Sequence, residues 1–139
     1  MLMTTKFKLL FVQLFVTVLL FAGITAESNA QTGDDRWVLV EKNSTEEYYF
    51  DSLSVTQTGD TTFLWVKTIY TKKIKDEDGK EMKSSINSLL LFCGKNKYTM
   101  TDIEVTYKDD SKKEIDYQEK NKAIKPETVI DKLYIRFCR

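Results

Sequence analysis

Between Ser85 and Cys93 the chain carries apolar side chains on both parities of an alternating pattern. Leu89, Leu91 and Cys93 fall on one side, and Ile86, Leu90 and Phe92 on the other. A strand with one wet face alternates apolar with polar, so this segment is expected in the middle of a sheet, covered from two sides. Thr61 to Tyr70 has the same character: Phe63, Trp65 and Ile69 alternate with Leu64, Val66 and Tyr70. Trp37 to Val40 reads as a short strand, and the dense run Tyr48-Tyr49-Phe50 as another. Tyr98 to Tyr107 has one polar side. Glu114 to Gln118 is a short, charged strand suited to a sheet edge. The connections are read as a polar link from Lys42 to Glu47, a turn over Thr56 to Asp60, a charged hairpin loop from Thr71 to Lys83 with Asp78-Gly79 at its tip, and turns at Gly94 to Lys97 and Lys108 to Lys112.

After Pro126 the period changes. Ile130, Leu133, Tyr134 and Phe137 recur at i, i+3, i+4 and i+7, one face of a helix, with Cys138 at the margin of the stripe. Pro126 and Glu127 suit the first turn of that helix and Arg136 and Arg139 the last. Antiparallel strands followed by one helix laid across them make an α+β domain.

The first residues belong to a different pattern. Lys6 and Lys8 precede an apolar run from Leu9 to Phe21, and Ser28-Asn29-Ala30 ends in small side chains at the positions a signal peptidase reads. Residues 1–30 are therefore expected to be a cleaved signal peptide, Gln31 to Arg36 a disordered lead-in, and residues 37–139 the domain. The alternative, an uncleaved anchor over Leu9 to Ala26, is at the short limit for a membrane span. No cysteine lies near the cleavage site, so a lipid anchor is not expected, and the product is placed in the periplasm or outside the cell. In an exported chain the two cysteines most simply form one disulfide, Cys93 to Cys138, tying the central strand to the helix.

Charge adds little to this picture. There are 21 basic and 21 acidic residues, with the signs interspersed, which argues against a nucleic-acid footprint or a polybasic membrane patch. Histidine is absent. That excludes Ser-His-Asp and Cys-His nucleophile systems and removes the commonest metal ligand. The adjacent acids Asp34-Asp35, Glu46-Glu47 and Asp109-Asp110 sit at turn or terminal positions and read as solvated surface. Aligning Gly79 with the glycine of a calcium loop puts Ile74 and Ser85 where acids are required, so that match fails. No catalytic residue, metal site or cofactor is assigned.

The aromatics Trp37, Tyr48, Tyr49, Phe50, Phe63, Trp65 and Phe92 are read as core. A geometric difficulty remains. If Cys93 faces the helix, so do Leu89 and Leu91, while Ile86, Leu90 and Phe92 face away, and one helix cannot cover both faces of a sheet. The far face is expected to curl on itself, to pair with a second copy in a homodimer, or to bind a ligand.

A Trp37 opening strand, Tyr49-x-Asp51 with Ser54, Trp65-Val66-Lys67, Cys93 after an apolar strand, Tyr107 before a turn, Ile124-x-Pro126-x-Thr128 and a penultimate Cys138 form an ordered set. This set resembles the surface-adhesin protein E-like family of exported bacterial proteins. The resemblance implies a bent antiparallel sheet of about six strands, a C-terminal helix packed on one face, a disulfide and a tendency to dimerise. The function expected is a non-catalytic binding module of the bacterial envelope, adhesin-like, recognising a protein or small ligand. The alternative is a periplasmic inhibitor or accessory factor for one enzyme or envelope complex.

Overall fold

Every strand pairing is antiparallel in the computed structural model, which describes residues 35–139. The expected leader lies outside those residues. Strands β1 (Trp37–Lys42), β2 (Glu46–Asp51), β3 (Thr56–Thr58), β4 (Thr61–Lys75), β5 (Glu81–Phe92), β6 (Lys97–Tyr107) and β7 (Lys112–Ala123) precede one helix, α1 (Val129–Cys138). Six of the strands form a continuous path, β1-β2-β4-β5-β6-β7, and β3 pairs with β4 beside it. Register shifts interrupt four of the ladders, and bulges of this kind bend and twist the strands that carry them.

The parity read from β5 holds. Leu89 and Leu91 are fully buried, with Leu64 and Val66 of β4 beside them and Leu133 and Tyr134 of α1 above. Phe50 joins this core edge-on to Phe137, with ring centroids 5.2 Å apart. Cys93, one residue beyond the end of β5, is bonded to Cys138 on the last turn of α1. The Tyr134 hydroxyl also donates to the Cys93 carbonyl, so the helix meets that turn through a covalent and a polar contact.

Four sequence readings need correction. Thr56 to Thr58 is a strand, not part of a turn; its partners are Phe63, Thr62 and Thr61. The charged segment from Thr71 to Lys83 is mostly strand. Beyond a bulge, Ile74 and Lys75 pair with Met82 and Glu81, leaving only Asp76 to Lys80 as the turn. The edge strand runs from Lys112 to Ala123, because most of β6 offers it a ladder. The helix starts later than Pro126: Thr128 is its N-cap, accepting from the Asp131 amide at 3.2 Å, and Asp131 accepts from the Glu127 amide at 3.0 Å. In each strand case backbone hydrogen bonds to a paired strand outweigh a polar local composition.

The charged turns meet in space. Lys80 reaches Asp109, Lys83 reaches Asp110 and Lys113 reaches Asp78, joining the β4–β5 tip to the β6–β7 tip through exposed pairs. Such pairs contribute little each.

One acid is different. The Asp51 side chain is fully buried, paired with Arg36 and accepting from the Leu53 amide at 3.0 Å. The hydrogen bond from Arg36, more than any other contact, holds its pKa below the usual value of 3.8. A carboxylate whose folded pKa is depressed stabilises the fold at and above its ordinary pKa, and that contribution is lost as pH falls through the depressed value. Urea denaturation should therefore show a smaller loss of stability from pH 7 to pH 3 in Asp51→Asn than in the wild type. Equal losses would mean that other acids carry the effect.

Candidate functional site

Strand alternation divides the side chains between two faces, and α1 covers part of only one of them. The opposite, outer face can be read directly from the register. Leu39 pairs with Tyr49, Tyr49 with Lys67, Lys67 with Ile86, Ile86 with Glu104, and Glu104 with Glu114. One row of side chains thus crosses six strands on a single face. It begins apolar and aromatic, passes a lysine, and ends in two acids directly opposite each other. Like charges so placed repel. Lys112 relieves Glu104 at 2.8 Å.

A groove of about 700 Å³ opens along this face. Its apolar walls are Trp37, Trp65 and Ile86, Ile103 and Ile115 border it, and Glu104, Glu114 and Asp116 form an acidic rim. Arg36 lines the other end and is already paired with Asp51. The Lys67 ammonium lies 5.3 Å from the Trp37 ring centroid, a cation–π placement that fixes the indole at the cationic end. Trp65 is held edge-on by Phe63 at 5.8 Å, and its backbone amide donates to the Ser54 hydroxyl at 2.9 Å. Leu39, 48% exposed, extends the apolar part toward the β1 edge.

The three residues read as an interaction face are separated by this geometry. Ile86 lies in the groove. Leu90 is paired with Phe63, Phe92 with Thr61, and both sit farther along the strand. All three are half-buried. Reading the aromatics as core is corrected for most of them. Phe50 is buried, whereas Trp37, Tyr49, Phe63, Trp65 and Phe92 are half-buried, because among the described residues no second layer lies over the outer face, and Tyr48 is half-buried on the inner face, in the part that α1 leaves open. Glu104, Glu114 and Asp116 were not singled out in the sequence. Their local signal was the polar side of the β6 segment and the charge of the edge strand; their convergence depends on the β6–β7 register.

The arrangement joins an apolar, aromatic wall to an acidic rim, a combination suited to recognition. Two tyrosines of the inner face are shifted upward, Tyr48 by burial and by its bond to Glu46, and Tyr98 to about 12 by burial and by Glu119. Both are therefore uncharged donors at neutral pH. Among the described residues no group of His, Cys, Asp and Glu is arranged to hold a metal ion.

The fold places the chain among known structures. It is similar to the crystal structure of protein E from non-typeable Haemophilus influenzae, with a TM-score of 0.54 and 14% identity over 74% of this chain and 75% of that one. A second structure of Haemophilus influenzae protein E gives a TM-score of 0.50 and 15% identity over 74% and 83%. At such identities the likeness concerns the fold. No curated protein sequence matches the chain. A family model described as Surface-adhesin protein E matches residues 37–139, which span both faces of the sheet, the disulfide and the helix. The chain belongs to the surface-adhesin protein E family of exported bacterial surface proteins.

Proposed function

We propose that the protein is a non-catalytic binding module of the bacterial envelope, freed from a leader at residues 1–30, and that it recognises a protein partner through the outer face of its sheet. The observation that carries this reading is the groove between Trp37, Trp65 and Ile86, apolar in its walls and acidic at one end, on the face α1 does not cover. Indole side chains flanked by charge are the usual anchors of protein recognition. Family membership supports the same role. Leu90 and Phe92 extend the contact surface beyond the groove.

Binding of the purified protein to immobilised extracellular matrix and to envelope extract, measured beside Ile86→Lys, tests it. The variant places a charge on the groove wall and should bind at least about tenfold more weakly, the cost of a few lost apolar contacts at an anchor, with an unchanged melting temperature. Equal binding by the two proteins would overturn this use of the face.

The same face favours a second copy as one partner. Its cationic end (Lys67, with Arg36 near it) and its acidic end (Glu104, Glu114 and Asp116) would complement each other across a two-fold axis. Light scattering should then give twice the chain mass at micromolar concentration and the single mass for Ile86→Lys. A single mass for both removes the homodimer and leaves the heterologous partner.

A further inference from the structure

On the inner face α1 stops short of covering the sheet, and beside its first turn a second groove of about 530 Å³ opens. Val66, Leu89 and Val105 form its floor, and Ile130 and Leu133 form the helix side. Several of its polar groups are paired within the protein. The Tyr70 and Ser85 hydroxyls bond at 3.0 Å, and the Tyr48 hydroxyl donates to Glu46. Asn87, opposite Val66 in the β4–β5 ladder, is only 8% exposed, and its carboxamide has no hydrogen-bond partner among the described residues. What remains of its exposure opens to the groove that it lines.

With no partner among the described residues and its remaining exposure toward the groove, the carboxamide offers two donors and an acceptor to whatever occupies that space. The charges around the groove limit what that occupant is. Among the described residues that line it there is no lysine or arginine, and its one acid, Glu46, already accepts from Tyr48. A carboxylate or phosphate would find no countercharge here. A bare cation would lose its hydration against mainly aliphatic walls. The volume lies within the range of small-molecule pockets, roughly 300–1,000 Å³.

We infer that the inner groove binds an uncharged, mainly apolar small molecule that presents a carbonyl or carboxamide head group to Asn87. The two grooves open on opposite sides of β4 and β5 and share Ile103 and Ile115 at β6 and β7, while Asn87 lines only the inner one and Ile86 only the outer one. The groove floor holds the aliphatic body, and Asn87 supplies a donor and an acceptor to the head. The chemistry matches a neutral acyl amide or a comparable lipid-like compound.

The test uses N-phenyl-1-naphthylamine, an uncharged fluorescent reporter, displaced from the purified protein by octanamide, octanoate or octylamine. Octanamide should displace it at a concentration about tenfold lower than either charged analogue, the value of one matched polar contact. Asn87→Leu, close to isosteric, should lose that preference while still binding the reporter. Ile86→Lys, on the other face, should leave displacement unchanged. Should Asn87→Leu fail to fold, Thr68→Trp serves in its place: it fills the groove from a lining position and should exclude the reporter. The inference is overturned if the wild type does not bind the reporter, if octanoate or octylamine is preferred, if Asn87→Leu or Thr68→Trp behaves as wild type, or if Ile86→Lys abolishes displacement.

Discussion

Reducing the Cys93–Cys138 disulfide is expected to lower the free energy of unfolding by up to about 4 kcal/mol, the chain-entropy value for a closed loop of this length. The two cysteines are 45 positions apart, and the loop between them contains β6 and β7. In the reduced unfolded chain that loop is free to expand; in the oxidised one it is not. Domains of this size have net stabilities of about 5–15 kcal/mol, so the loss is a large share of the total. The native contacts that survive reduction are the Tyr134 bond to the Cys93 carbonyl and the burial of Leu133, which hold the helix without a covalent link. Urea denaturation with and without reductant, beside a Cys93→Ser/Cys138→Ser double variant, measures the difference. A change below about 1 kcal/mol would mean that the unfolded chain is already restricted, or that the staple strains the folded one.

The second large effect concerns Leu133. It is fully buried at the centre of the helix face, against a core that includes Leu64, Leu89, Leu91 and Ile124. Truncation to alanine removes the buried methyl groups and leaves a void, and the expected loss is about 2–5 kcal/mol. Its neighbour on the exposed side, Ile135, is 46% exposed, and Ile135→Ala should cost less than about 0.5 kcal/mol. The contrast within one helix isolates packing from helix propensity. Leu133→Ala should also combine non-additively with loss of the disulfide, because both act on the docking of α1. Strict additivity in urea denaturation would show that the helix and the staple stabilise the sheet independently.

The outer-face experiment is interpretable because Ile86 is half-buried while Leu89 and Leu91 carry the core. That distinction was legible in the alternation of a single strand. Which aromatics are core was not. Trp37 and Trp65 have the composition of core residues and became groove walls because α1, the one helix among the described residues, covers the other face. The β4 and β5 arms beyond Ile69 and Ser84 were also hidden, since Lys72, Lys73 and Lys75 favour a loop by composition while Ile74 and Lys75 pair with Met82 and Glu81 and carry the strand past the bulge. The N-cap at Thr128 was obscured by Pro126, which would have suited an earlier first turn.

Face and period are local properties. Side chains two apart on a strand, or three and four apart on a helix, share an environment whatever surrounds them, so the chain alone was enough for the inner leucines of β5, the helix stripe around Leu133 and Tyr134, and the pairing of its two cysteines. Register is not local. The meeting of Glu104 with Glu114, the place of Trp37 at the far end of the same groove, and the absence of a partner for Asn87 among the described residues each depend on which backbone ladders form between separate segments, and in what register. Only the folded sheet decides them, because the hydrogen bonds that set those ladders carry no trace in the side-chain pattern of either strand taken singly.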